Sequence, residues 1–219
     1  MIALNLCNHG DSPWAGTMTY AEVADDVADF IAAAGLDRPS VLGHSMGGKV
    51  AMTLALGRDV ALGALVVVDI APVSYDHGFG DYVEAMSAVD LRLVERRADA
   101  DAALAGTVAD PVLRAFLLQN LIARDGSYGW RINLPAIGAG LAGLSEFPPA
   151  DPASAFTGAA LFIAGGRSRY VAAEHHATIR QLFPGAEIAV LDDAGHWPHA
   201  EQPEQFGALV APFLDRHSA

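Results

Sequence analysis

A serine, a carboxylate and a histidine, in that chain order, can together break an acyl bond. The chain offers such a set in Ser45, Asp69 and His196. Ser45 lies in "VLGHSMGGKVAM", where an apolar run meets Gly43, His44, Ser45, Met46 and Gly47 before a helical pattern begins. In a G-x-S-x-G elbow the turn is so tight that residues beside the serine must be small, which accounts for Gly43 and Gly47. Such a turn lifts Oγ clear of the sheet at the start of the next helix. There the helix dipole and free N–H groups favour developing negative charge. Gly48 lets that helix pack close. Gly-rich strand-to-helix turns are common, so the motif alone does not fix the chemistry; a strand before and a helix after are the context it requires.

A serine hydroxyl is a poor nucleophile until a base takes its proton. The candidate base is His196 in "LDDAGHWPHAEQP", past the final strand-like run and before the final helical one. That places it at the C-terminal edge of a sheet, with Ser45. Among the 8 histidines, His175 and His176 fall on a helical pattern and His77 opens the irregular middle of the chain. His199 stands one helical turn from His196 and reads as loop support. His44 should point the other way along its strand and pack. Asp192, Asp193, His196 and His199 have no second ligand cluster at metal spacing, so no metal is expected.

The acid should fall between the serine and the histidine. After the penultimate strand, "LFIAGGRSRYV" holds Ser168 between Arg167 and Arg169 and no carboxylate. Asp69, ending "LVVVDIAP", is the candidate, since its strand follows the nucleophile helix and should lie beside the Ser45 strand. Asp69 could instead cap a local turn at its strand's end. Asp192 and Asp193 are too near His196 in sequence to orient it from behind. An acid there fixes the imidazole tautomer and stabilises the imidazolium. Ser168 would add a hydroxyl hydrogen bond to Asp69 or His196.

These residues need a scaffold. Five short apolar runs, at 2–6, 40–43, 64–69, 159–164 and 187–191, read as strands, with helical patterns between most of them. Strand and helix in alternation mean an α/β fold, a mostly parallel sheet of about five strands flanked by helices. Between Pro72 and Pro152 no good strand appears, and "RDGSYGWRINLPAI" reads as loop or turn. Residues 72–152 are therefore expected to form a helical cap on a core made of 1–71 and 153–219. Helices at 81–122 should cover Ser45. Phe79, Met86, Phe116, Leu117 and Trp130 are candidates for an apolar acyl pocket, or for ordinary packing of the cap.

At 219 residues the chain is one domain, or one with an insertion, and 52% hydrophobic residues fit a globular protein. A formal net charge of -13 argues against nucleic acid or an anionic membrane surface as partner. Cys7 is the only cysteine, which excludes an internal disulfide and fits a reducing compartment. The start lacks the pattern of a signal peptide, and no apolar run approaches the ~20 residues of a membrane span. A cytoplasmic protein acting on a small molecule is the expectation; oligomeric state is not legible.

Taken in order, "GHSMGGK", "VDIAPVSY", "WRINLP", "GGRSRYV" and "GHWPHAEQP" resemble the α/β-hydrolase family. They are most similar to its small-cap bacterial esterases of the YbfF type and their abhydrolase relatives. The resemblance spans essentially the whole chain. It implies an acid after the strand following the nucleophile, as Asp69 is, and a serine at the usual acid position, as Ser168 is. It implies hydrolysis of carboxylic esters or thioesters with short to medium acyl groups, without a cofactor. The chain also departs from the pattern. "NHGDSPW" lies too close to Ser45 to be the family's His-Gly loop, which supplies one oxyanion donor; the resemblance implies the other from the residue after the nucleophile, here the Met46 N–H. The sequence thus reads as entering the family's fold about one strand pair late. Besides an active esterase, the readings left open are a catalytically weak remnant and other hydrolase-fold chemistry such as C–C bond hydrolysis.

Overall fold

The computed structural model describes residues 1–57, 59–75 and 78–217. His77 lies outside the described residues. In chain order the elements are α1 (Tyr20–Ala33), β1 (Val41–His44), α2 (Met46–Gly57), β2 (Ala64–Val68), α3 (Gly80–Ala88), α4 (Arg97–Leu104), α5 (Pro111–Leu117), β3 (Leu121–Arg124), β4 (Ser127–Trp130), α6 (Leu134–Ser145), β5 (Ala159–Gly165), α7 (His176–Leu182), β6 (Glu187–Leu191), α8 (Pro198–Glu201) and α9 (Pro203–His217). No helix among the described residues is long and apolar enough to cross a membrane.

Residues 20–74 and 146–219 form one compact unit. Its sheet has the order β1-β2-β5-β6, every pair parallel. β2, "ALVVV", is buried throughout, as a central parallel strand covered on both faces must be. Ala64, Val66 and Val68 share one face with Leu161, Ile163 and Leu191, closed by Val210 and Phe213 of α9. The ladder aligns His44 with Val68 and Val68 with Ile163, so β1 and β2 end together while β5 runs on to Gly165. Ser45 and Asp69, the next residue after β1 and β2 respectively, therefore leave the sheet side by side.

Among the described residues the parallel sheet has four strands rather than about five. The apolar run 2–6 pairs with none of these strands, and Ile2 and Leu4 are 58% and 40% exposed. Its backbone is bonded locally instead: the His9 N–H donates to Leu6 O and the Ser12 hydroxyl to Asn5 O.

Residues 1–19 cluster with 75–145 as the second unit, where the sequence had placed them in the core. The reason is Asn8, fully buried at φ 63°. Its Nδ2 donates to Thr17 O, and its Oδ1 accepts from the Ala15 N–H and from Asn133 Nδ2. The Asn133 N–H donates to Asn8 O and the Gly10 N–H to Arg131 O, which zips 8–10 onto 131–133.

This unit is not wholly helical. β3 and β4 pair as an antiparallel hairpin where helix and loop were expected. Asp125 and Gly126, at φ 51° and 78°, make the two-residue turn whose twist suits a hairpin. The long helical pattern before it also breaks: after α3 the chain extends at Val89, and the Asp90 carboxylate accepts the Arg92 N–H in a local turn. α5 opens with the Asp110 carboxylate accepting the Val112 N–H and Pro111 at its first position.

Candidate active site

Ser45 stands between β1 and α2 at φ 52°, left-handed for a residue with a side chain. Sterics at Gly43 explain the turn. A Cβ there would lie 2.1 Å from Gly47 O and 2.4 Å from its carbonyl carbon. At Gly48 a Cβ would meet Ile70 Cγ2 at 2.6 Å, which brings α2 close to the sheet. Gly47 differs from the expectation, because nothing lies within 4 Å of a Cβ placed there. The Ser45 N–H donates to Val68 O at 3.0 Å and Ser45 O accepts the Lys49 N–H at 3.1 Å, so the elbow is tied to β2 and begins α2. Met46 is the first residue of α2, and its N–H is among those the helix leaves without an internal acceptor. Lys49, one turn on, is buried, and its Nζ donates to Glu146 O at 2.6 Å. Burial lowers its pKa to about 8.

Asp69 also leaves its strand in the left-handed region, at φ 50°, and is fully buried. Its carboxylate has three partners. Oδ1 accepts the Gly165 N–H at 2.9 Å; Oδ2 accepts the Ser168 hydroxyl and faces His196 Nδ1 at 2.8 Å. On the ring's other side Nε2 lies 3.1 Å from Ser45 Oγ. A carboxylate only accepts, so Nδ1 carries the ring proton, and the bare Nε2 is left to accept from the serine hydroxyl. The structure thus sets Ser45, His196, Asp69 and Ser168 on one continuous hydrogen-bonded line.

Gly165, ending β5, permits this. A Cβ there would lie 2.0 Å from Gly195 O. The Ser168 turn and the His196 loop are bonded together, the Gly166 N–H to Leu191 O and the Arg167 N–H to Ala194 O. The Tyr170 ring lies against His196, tilted by 40° with ring centroids 4.3 Å apart.

His44 does not point away. Its Nε2 lies 2.6 Å from His196 O, and its ring is 4.8 Å from both His196 and His199. A carbonyl only accepts, so His44 Nε2 carries a proton and donates. Burial, ahead of repulsion by His196 and His199, lowers the His44 pKa to about 4, so the ring is neutral at ordinary pH. Burial and His196 also lower the pKa of His199. No residue-spacing rule reveals this contact, because it runs to a backbone oxygen 152 positions away.

The five residues expected around an acyl group divide. Met86 is 2% exposed inside its own unit, in a cluster with Val89, Leu104, Leu121 and Ile132, against which Leu117 and Trp130 pack. Phe79 and Phe116 are the exposed members, at 37% and 45%. No group of three or more His, Cys, Asp or Glu among the described residues could hold a metal ion.

A sequence profile described as "Alpha/beta hydrolase family" matches residues 2–209. The chain belongs to the α/β-hydrolase family. It is 38% identical to the "sn-1-specific diacylglycerol lipase ABHD11" of Mus musculus, over 98% of this chain and 71% of that protein. It is 34% identical to "Esterase YbfF" of Escherichia coli (strain K12), over 98% of this chain and 82% of that one. A solved structure titled "Marine microorganism esterase" superposes with a TM-score of 0.89 at 31% identity, covering 95% of this chain and 82% of its own. The α/β-hydrolase is accordingly a hydrolase of the carboxylesterase type.

Proposed function

We propose that the chain cleaves carboxylic esters or thioesters of short to medium acyl chains through an acyl-enzyme on Ser45. The observation that carries this is the line from Ser45 Oγ to His196 Nε2 at 3.1 Å and from His196 Nδ1 to Asp69 Oδ2 at 2.8 Å. As Ser45 Oγ attacks the acyl carbon, its proton passes to His196 Nε2. Asp69 holds the ring in the tautomer that can receive it and stabilises the imidazolium. The former carbonyl oxygen becomes an oxyanion and takes the Met46 N–H, at the N-terminus of α2. Collapse expels the alcohol or thiol, which takes the proton back from His196. Water then repeats the cycle on the acyl-enzyme and releases the acid.

Relatives named for ester hydrolysis, one of them for a diacylglycerol, support an acyl ester as substrate. The single cysteine, Cys7, supports a cytoplasmic setting. The test is turnover on p-nitrophenyl esters of graded chain length, acyl-CoA thioesters and a diacylglycerol, with Ser45→Ala as control. Activity on one class that vanishes with Ser45→Ala is expected. Undiminished activity in the variant would overturn the reading. Rapid labelling by a fluorophosphonate with little turnover would favour the weak hydrolase, since an oxyanion hole short of one donor costs roughly 10²–10³ in kcat.

A further inference from the structure

The loop that carries His196 runs from the end of β6 to α8 with no regular structure, so neither ladder nor helix fixes the imidazole. One side chain grips it instead. The Gly195 N–H donates to Glu201 Oε2 at 2.9 Å, and the Trp197 N–H donates to Glu201 Oε1 at 3.1 Å. A single carboxylate therefore holds the backbone one residue before and one residue after His196. Arg167 Nη2 donates to Oε2 at 3.1 Å from the neighbouring turn. Gly195 makes the approach possible, since a Cβ there would lie 3.0 Å from Oε1 and 3.3 Å from Oε2. The Gly195 N–H above all, then the Trp197 N–H and Arg167, hold the carboxyl below its ordinary pKa. With His44 Nε2 donating to His196 O, the loop is bonded at three consecutive residues.

We propose that Glu201 is a positioning residue for His196, its two carboxylate oxygens fixing the flanking amides so that the ring stays between Asp69 and Ser45. This rests on the reading of His196 as the base. Glu201 donates no proton and touches no reacting atom; its whole effect passes through the placement of the imidazole. A shift of about 1 Å in a catalytic group costs on the order of 10²-fold in rate.

The experiment measures kcat, KM and melting temperature on an activated short-chain ester for Glu201→Ala, Glu201→Gln and Arg167→Ala, and for Glu201→Ala in a His196→Ala background. Glu201→Ala should lower kcat about 10–100-fold with KM little changed. Glu201→Gln keeps one acceptor oxygen and should recover part of that loss. Arg167→Ala leaves both amide bonds in place and should stay near wild type. With His196 already gone, Glu201→Ala should leave the residual rate almost unaltered, because a residue that acts through another has nothing left to act on. The role is overturned if Glu201→Ala keeps wild-type kcat, or if its full loss persists without His196, which would make Glu201 a support for the local fold alone. If Glu201→Ala does not fold, Glu201→Gln carries both comparisons. Full turnover by His196→Ala alone would instead overturn the assignment of the base, and this role with it.

Discussion

Ser45 and His196 meet at the same end of the same sheet but are held there by different means. The serine is fixed by backbone. Its left-handed φ, the crowding at Gly43 and the bond from its N–H to Val68 O leave the elbow little freedom. The histidine is fixed by side chains: Glu201 on the flanking amides, His44 on its carbonyl, Tyr170 on its ring and Asp69 on Nδ1. Backbone strain is local and writes itself into a short motif. Side-chain support reaches across the fold and leaves no contiguous signature. The elbow should therefore fail as a fold when disturbed, whereas the histidine loop should fail as chemistry.

Asp69→Asn breaks the histidine side most severely. An amide in place of the carboxylate can face Nδ1 with its N–H₂ and favour the wrong tautomer. In a comparable triad this substitution costs about 10⁴-fold in kcat. The loss here should be of that order, with near-normal folding, read from steady-state kinetics beside circular dichroism.

Gly43→Ala and Gly47→Ala test the elbow as a pair. The first drives a methyl into the backbone of Gly47 and should destabilise by about 3 kcal/mol. The second meets open space and should cost under about 0.5 kcal/mol, since Ala is also the better helix former. Urea unfolding of both variants gives the contrast; equal costs would refute the steric account.

Ser168→Ala removes one of three bonds to Asp69. Hydrogen bonds to charged groups are worth about 1.5–3 kcal/mol, so a tenfold or somewhat larger loss in kcat is expected, well short of Asp69→Asn.

The effect at His44 appears only in acid. Its folded pKa is about 4 against an ordinary 6.5. Between those values the unfolded chain binds a proton that the folded chain refuses. Stability should therefore fall as pH drops from about 6.5 toward 4 and be flat above, by at most about 3 kcal/mol. In His44→Gln, which keeps a donor and loses the titration, that slope should flatten. Parallel pH dependence in the two proteins would contradict the neutral donor.

The contrast also explains what the sequence disclosed. The elbow was legible because glycine at 43 and 48 answers to steric needs within a few residues. Asp69 was legible from chain order and from Ser168 occupying the usual acid position. The hairpin at 121–130 carried a signal in Asp125-Gly126 that the helical pattern before it obscured. Residues 2–6 misled in the other direction: their short apolar run suits a strand, but Asn8 anchors the segment to 131–133, a contact no local pattern reveals. His44 and Glu201 were illegible for a common reason, because each acts on main-chain atoms, which no sequence distinguishes.

The central claim is that Ser45 becomes acylated with the help of His196. Intact-protein mass spectrometry after rapid quenching with an activated short-chain ester tests it most directly. One acyl group should appear on the wild-type chain and map to the peptide containing Ser45. It should be absent from Ser45→Ala and form far more slowly in His196→Ala. An adduct that maps elsewhere, or acylation at undiminished rate without His196, would contradict the account.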